Sequence, residues 1–380
     1  MTVFIALSGI AITEMAMKGL DYPGALGSGI AAAQAYDRST TIVRPRASAA
    51  WPRPEAATME GQAMTIPTFD DVTAAHERIK PHIHRTPVLT SRYFDELSGA
   101  ELFFKCENFQ KAGAFKARGA SNAVFGLSQE QAAKGVATHS SGNHALSLAY
   151  AAGRRGIPCT AVMPHTAPQA KKDAVCGYGG KIVTSEPSIS SRETILAEVL
   201  AEGGAEFVHP YNDPRVIAGQ ATCSRELNEQ VDMLDAVIAP IGGGGMISGT
   251  CLTLSNLAPK VKIYAAEPNN ADDACRSFKA GCIIADDAPQ TVADGLKVPL
   301  KELTWHFVSN YVSDILTATE DEIIAAMKLT WQRMKIVIEP SCAVPLATIL
   351  KNREVFADKR VGVILTGGNV DLDRLPWIKG

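Results

Sequence analysis

The sequence predicts an α/β protein of two lobes, each an open, mostly parallel sheet flanked by helices. Strand-like and helix-like segments alternate along most of the chain, joined by short connections marked with glycine. The alternation falls into two separate series, one starting near Val136 and one at Asp235. Aromatic residues make up only 6 % of a chain that is 46 % hydrophobic, so its apolar content is largely aliphatic and small, which suits an α/β core.

Residues 1–63 precede the first element and differ from the rest. They are rich in Ala, Gly, Pro and Ser, and Arg44-Pro45-Arg46 and Trp51-Pro52-Arg53-Pro54 block helix and strand alike. The apolar run from Val3 to Ile12 is too short to span a bilayer. With no basic residue before it and Glu14 close behind, it does not read as a secretory signal. This segment is expected to be a disordered leader or the product of a misassigned start.

From Phe69 the spacing of Val72, Ala75 and Ile79 predicts a helix, with Asp70 or Asp71 at its start. Thr86 to Thr90 reads as extended and Glu101 to Lys105 as a strand. A loop carrying Lys116 then runs into a helix through Asn122 and Val124. The first series follows: strand Val136 to Thr138, helix Asn143 to Arg155, strand Pro158 to Met163, helix Pro168 to Tyr178. It continues with strand Lys181 to Thr184, helix Ser190 to Glu202 and strand Glu206 to Val208. The second series has strand Asp235 to Ala239, helix Met246 to Leu254 and strand Lys262 to Ala266. Helix Glu320 to Met334 and strand Val361 to Leu365 complete it. Short connections of this kind imply parallel strands with helices on their faces. The expected domains are a small one, 135–211, and a large one built from 64–134 and 212–380, with a ligand cleft between them.

The formal net charge is −3 and no basic stripe alternates with aromatics, so neither nucleic acid nor an anionic membrane is expected as a partner. Eight cysteines are scattered, and the closest two, Cys275 and Cys282, have no histidine placed to complete a zinc set. They read as free thiols of a reducing compartment, the cytoplasm.

Four segments carry chemistry. Lys116 stands between Phe115 and Ala117, and a lysine held against an apolar wall loses part of its preference for charge, leaving a neutral amine able to form a Schiff base. Gly242, Gly243, Gly244 and Gly245 follow an apolar strand and open a helix, where bare backbone N–H groups and the helix dipole favour a phosphate. A nucleotide loop would need Lys-Ser or Lys-Thr next, and Met246-Ile247 stands there instead. A nicotinamide-dinucleotide fold fits better, with Glu267 ending the following strand, but its third glycine is replaced by Ile247 or Ser248. Ser140, Ser141, Asn143 and His144 lie between a strand and a helix. They offer hydroxyls and N–H groups to a substrate carboxylate, or else an ordinary N-cap. Thr366-Gly367-Gly368-Asn369 ends the last strand, where a hydroxyl would face a ring nitrogen, or makes a plain turn. Together these supply what a pyridoxal 5'-phosphate site needs.

The segments Gly113 to Gly119, Ser140 to His144, Gly242 to Met246 and Thr366 to Asn369 resemble the signature set of the tryptophan-synthase-β-like, fold-type II pyridoxal-phosphate enzymes. Within that group the chain resembles the serine racemase and serine/threonine dehydratase family, which includes 3-hydroxyaspartate dehydratases. The likeness runs from Thr68 to Leu372, and Leu102 to Glu107, Ala265 to Pro268 with Ala271-Asp272-Asp273, and Thr319 to Ile323 point to the racemase branch. The resemblance implies that Lys116 carries the cofactor and removes the α-proton. It also implies that Gly242 to Met246 hold the phosphate, that Asn143 lies beside the ring oxygen, and that Thr366 meets the pyridine nitrogen. A neutral hydroxyl there does not enforce ring protonation, which favours elimination of a β-hydroxyl over transamination. Ser141 stands where the racemase branch has its opposite-face acid/base. Glu267, the Ala271 carbonyl and Asp273 match a divalent-cation site suited to magnesium, calcium or manganese. A homodimer is expected.

Some positions depart from the family. Ala114 replaces a serine, and Ala112, Arg92 and Leu146 stand where animal racemases have polar residues near a nucleotide, so activation by ATP is not expected. The short tail after Asn369 leaves no room for a regulatory domain of the kind that biosynthetic threonine dehydratases carry. Arg192 opens the Ser190 helix, either exposed and paired with Glu193 or facing the cleft. Facing the cleft, its guanidinium would bind a second carboxylate in a bidentate fashion, favouring threo-3-hydroxyaspartate over L-serine and L-threonine. The expected activity is therefore that of a hydroxy-amino-acid ammonia-lyase. The alternatives are a serine racemase with elimination as a side activity and, more remotely, a nicotinamide-dinucleotide-binding protein.

Overall fold

Residues 64–286 and 289–378 are described by the structure, a computed structural model. The expected leader, 1–63, lies outside these residues. Ten strands form two sheets among them. The larger sheet has the order β1 (Val88–Leu89), β2 (Glu101–Cys106), β10 (Arg360–Leu365), β7 (Ala236–Pro240), β8 (Lys262–Pro268), β9 (Asp314–Ala318). Only the β1–β2 pair is antiparallel. The smaller sheet is fully parallel, in the order β5 (Lys181–Ser185), β4 (Cys159–Pro164), β3 (Val136–Thr138), β6 (Glu206–Phe207).

The central strands are covered on both faces, so they read as unbroken apolar runs and not as alternating ones. All five residues of β7 are buried. Val237 and Ala239 face one core with Ile247 and Ile263, while Ala236 and Ile238 face another with Val361 and Val363, the two-residue period of a strand.

The helices Asn143–Arg155 and Glu320–Met334 form over the residues the sequence indicates. Several elements were not legible, among them the helices Asp273–Ala280 and Glu302–Tyr311 and the three that follow. Helix Pro214–Gln230 is buried from Val216 through Ser224, so it has no polar face to betray a helical period. Helix Pro340–Lys351 is likewise buried along nine consecutive residues and contains Pro345. Strand β9 is a five-residue edge strand.

Glycine lets three of these helices approach unusually closely. A Cβ on Gly219 would lie 2.6 Å from the Cα of Gly119, and one on Gly249 would lie 2.6 Å from the Ala221 nitrogen. The helices Lys116–Phe125, Pro214–Gln230 and Gly245–Leu257 therefore pack almost backbone to backbone. A buried charge network locks the first of them. Arg118 donates to both oxygens of Glu107 at 2.7 and 2.8 Å and to both oxygens of Glu226 at 2.8 Å, and Lys105 donates to Glu226 at 2.6 Å. Two cations and two carboxylates, all buried, balance one another two residues beyond Lys116.

Candidate active site

Lys116 is the first residue of its helix, and its loop is stitched to the end of β10. Phe115 N donates to Thr366 O at 3.0 Å, Gly368 N donates to Gly113 O at 3.0 Å, and Ala114 pairs with Gly367. Gly113 has a φ of +69°, and the Asn369 side chain occupies the space a Cβ would need. The Lys116 amine donates to Pro210 O at 2.6 Å and lies 5.1 Å from the centre of the Phe115 ring. Burial lowers its pKa to about 8, so about a tenth is neutral at pH 7, far more than for an ordinary lysine.

The glycine run forms a cradle that only glycine can line. A Cβ on Gly242 would meet Leu296 Cα at 2.7 Å, one on Gly243 the Tyr211 ring at 2.5 Å, and one on Gly244 the Leu300 side chain at 2.7 Å. Gly244 caps the helix Gly245–Leu257 at a φ of +86°, and no side chain takes up the first N–H groups of that helix. Met246 lies buried in the first turn. Open N–H donors at a helix start, beside a lysine that gives up its proton easily, fit an aldehyde cofactor bearing a phosphate. Glu267, the candidate ribose acid, is turned instead to the helix Asp273–Ala280, where its oxygens accept from Ala274 N at 3.0 Å and Cys275 N at 2.8 Å.

Ser140, Ser141 and Asn143 are half-buried at the start of the helix Asn143–Arg155. Gly142 is the N-cap and no side chain caps the helix, so the ordinary N-cap is absent and its first N–H groups remain open to a carboxylate. His144 is buried and its Nε2 pairs with Val208 O at 3.0 Å. Burial, and then the Lys116 charge, push its pKa to about 3, so the ring is neutral.

Sequence reasoning missed Glu339. This buried carboxyl accepts from Asn143 Nδ2 at 2.8 and 3.2 Å, while Asn143 Oδ1 accepts from Asn369 Nδ2 at 2.9 Å. Asn369 in turn donates to Ala112 O at 2.8 Å. The amide of Asn143 is thereby fixed in one orientation, with its second N–H left over. Burial first, and then Asp294, raise the Glu339 carboxyl to about 7. Nothing around Ile338-Glu339-Pro340 marks this role, because the partner lies 196 residues away in sequence. Tyr211, whose ring lies against Gly243, was also not foreseen.

Of the two carboxylates of the expected cation set, Asp273 lies close enough to raise Glu267. Burial, and then the like charge of Asp273, take Glu267 to about 9 against the lowering hydrogen bonds from Cys275 and Ala274, and burial takes Asp273 to about 6. Asp273 Oδ2 is buried without a partner, and Ala271 is buried in the turn just before it. Both groups suit a cation that would displace their protons. Among the described residues no cluster of three or more His, Cys, Asp or Glu side chains could hold a metal. The expected set has two such side chains and a carbonyl. Arg192 is half-buried, donates from Nε to Ser188 O at 3.4 Å, and makes no ion pair with Glu193.

Comparison with known proteins agrees with this geometry. Residues 79–367 match the family described as pyridoxal-phosphate dependent enzyme. The chain belongs to that family. It is 73 % identical over 314 residues to the beta-hydroxyaspartate dehydratase of Paracoccus denitrificans, covering 83 % of this chain and all of that one. It is 52 % identical over 309 residues to the serine racemase of Arabidopsis thaliana, covering 80 % and 93 %. The crystal structure of serine racemase from Dictyostelium discoideum superposes with a TM-score of 0.78 at 47 % identity, covering 80 % of this chain and 99 % of that one. The fold is the two-lobed fold-type II arrangement of these enzymes.

Proposed function

We propose that this protein is a pyridoxal-phosphate-dependent ammonia-lyase that removes the β-hydroxyl of small hydroxy amino acids, with 3-hydroxyaspartate preferred to serine and threonine. The observation that carries the reading is the buried Lys116 amine, lowered to about 8 and aimed at Pro210 O beside a cradle of four glycines. Bound pyridoxal phosphate supplies a sink for the electron pair left when the α-proton departs.

The rest is done by side chains. Lys116 holds the cofactor in the resting enzyme and, once displaced by substrate, takes the α-proton as a neutral amine. The open N–H groups after Gly244 hold the phosphate, and Phe115 flanks the lysine. Thr366 meets the ring nitrogen. The remaining N–H of Asn143, oriented by Glu339, reaches the ring oxygen. Ser140, Ser141, Asn143 and His144 hold the α-carboxylate at a helix start without a side-chain cap, and Arg192 serves a second carboxylate. Loss of the hydroxyl as water releases an enamine, which tautomerises to an imine and hydrolyses to a keto acid and ammonia.

Glu267, the Ala271 carbonyl and Asp273 bind magnesium, calcium or manganese as a support for the cofactor lobe. The two domains are 135–211 and 64–134 with 212–380, and the enzyme works as a homodimer in the cytoplasm, where its eight free cysteines stay reduced. Among the described residues no helix is long and apolar enough to cross a membrane.

The test is a panel of serine, threonine and 3-hydroxyaspartate stereoisomers, scored for keto acid and for inverted amino acid. Keto acid from 3-hydroxyaspartate should dominate, and Lys116→Ala should lose both turnover and the violet absorbance of the bound cofactor. Inversion of serine with little ammonia would make the protein a racemase with Ser141 as its second acid/base, the reading its half-buried place at the cleft also serves. A colourless protein that binds NAD would overturn both.

A further inference from the structure

Behind the two segments that flank Lys116 lies a cavity of about 240 Å³. It is lined by His139, Phe207 and His209 near the ends of β3 and β6, by Glu193 and Leu196 from the helix Ile189–Gly203, and by Lys301 from the other side. His139 immediately precedes Ser140-Ser141, and His209 immediately precedes Pro210, whose carbonyl accepts from the Lys116 amine. The cavity is therefore one residue removed from the candidate substrate loop on one strand end and from the candidate catalytic amine on the other.

Lys301 is in an unexpected place. It is the N-cap of the helix Glu302–Tyr311, a position that favours Ser, Thr, Asp or Asn and repels a cation through the helix dipole. Its backbone is held there: Lys301 N donates to Thr304 Oγ1 at 3.1 Å, and that hydroxyl donates back to Lys301 O at 3.0 Å. The next turn is tied to the Lys116 side of the cleft by Leu303 N donating to Asn212 Oδ1 at 3.2 Å. Leu300 and Thr304 pack on Gly244, so the phosphate cradle fixes this helix start from below. Lys301 is half-buried and makes no ion pair among the described residues. A cation set against its own helix dipole, with no carboxylate in ion-pair contact among the described residues, departs from the local rules in the way functional positions do.

The neighbours complete an anion site. His209 Nδ1 accepts from Tyr211 N at 3.2 Å and Asn212 N at 2.9 Å, which puts its proton on Nε2 and makes that atom a donor. His139 and His209 are kept neutral, first by burial and then by nearby charges, Arg192 acting on His139 and Lys301 on both. Arg192 does not line the cavity itself but immediately precedes Glu193, which does, on the helix Ile189–Gly203. Glu193 is exposed, so solvent screens its charge.

We propose that Lys301, with His209, forms the subsite for the second carboxylate of a dicarboxylic amino acid, with Arg192 on the adjoining helix start, which makes Lys301 a specificity-determining residue. This deepens the substrate reading above and rests on it. Lys301 supplies the charge, His209 an N–H donor, and Phe207 and Leu196 an apolar wall beside them.

Lys301→Gln and Lys301→Arg in the holoenzyme test it, with kcat and KM for 3-hydroxyaspartate and for serine, and calorimetric binding of succinate as an unreactive dicarboxylate. In Lys301→Gln the ratio of the two kcat/KM values should fall roughly tenfold or more, through KM for 3-hydroxyaspartate. Succinate affinity should fall in parallel, and Lys301→Arg should recover both. An unchanged ratio together with unchanged succinate binding in Lys301→Gln overturns the assignment. If the wild type does not turn over 3-hydroxyaspartate, the substrate reading has failed. Succinate binding by wild type against Lys301→Gln then decides the subsite on its own.

Discussion

Replacing Glu339 by Gln separates a charged from a neutral group at the one buried carboxyl that touches Asn143. Burial, with help from Asp294, raises this carboxyl from 4.5 to about 7 in the folded protein. A raised carboxyl binds its proton more tightly when folded, so its stabilising contribution is complete below pH 4.5 and is lost as pH rises through about 7. A shift of that size corresponds to about 3 kcal/mol, fully expressed above pH 7. Gln keeps the shape and the acceptor for Asn143 Nδ2 but never ionises. Lys171 opposes the shift and the Asn369 backbone N–H stabilises the ionised form, and both influences are already contained in the value. Wild type and Glu339→Gln should therefore be equally stable near pH 4.5 and diverge as pH rises, with the variant ahead by up to ~3 kcal/mol at pH 8. Denaturant titrations of the two apo proteins at half-unit intervals measure this directly. Parallel stability curves from pH 4.5 to 8 would refute the argument, because they would mean that Glu339 ionises alike in folded and unfolded chains. A companion variant, Glu339→Ala, removes the acceptor, frees the Asn143 amide, and should shift the absorbance of the bound cofactor.

Glu226→Ala leaves Arg118 with Glu107 alone and Lys105 with only the neutral acceptors Thr86 O and Gln230 Oε1, and should cost about 3–5 kcal/mol by denaturant unfolding. Gly244→Ala puts a Cβ at positive φ against Leu300 and Thr304 and should cost about 1–2 kcal/mol in strain, with at least a comparable loss in pyridoxal-phosphate affinity by absorbance titration. Chelation at pH 7.5 should lower melting temperature and activity together, with magnesium, calcium or manganese restoring both. If neither changes, Glu267 serves only to cap the helix Asp273–Ala280.

Local chemistry in the sequence was enough for the α/β class and the two series of strands and helices, and it singled out four candidate segments for a site. Lys116 beside Phe115, four glycines between an apolar strand and a helix, and Thr366 at a strand end each announce themselves within a few residues, because backbone geometry and capping are short-range properties. The helices that proved hardest to read, Pro214–Gln230 and Pro340–Lys351, are buried all round and so carry no amphipathic period.

Long-range contacts were a matter for the tertiary structure alone. The close approach of Gly119 to Gly219 and of Gly249 to Ala221 brings the Lys116 helix and the helix after the glycine run onto the same helix, Pro214–Gln230. The meeting of Glu339 with Asn143, the turn of Glu267 onto a helix start, and the gathering of His139, His209 and Lys301 around one cavity likewise join residues distant in sequence. A side chain's type and its immediate neighbours state what chemistry it can offer. Which other group it meets, how deeply the pair is buried and therefore what its pKa becomes depend on the packing of segments that the local sequence does not specify.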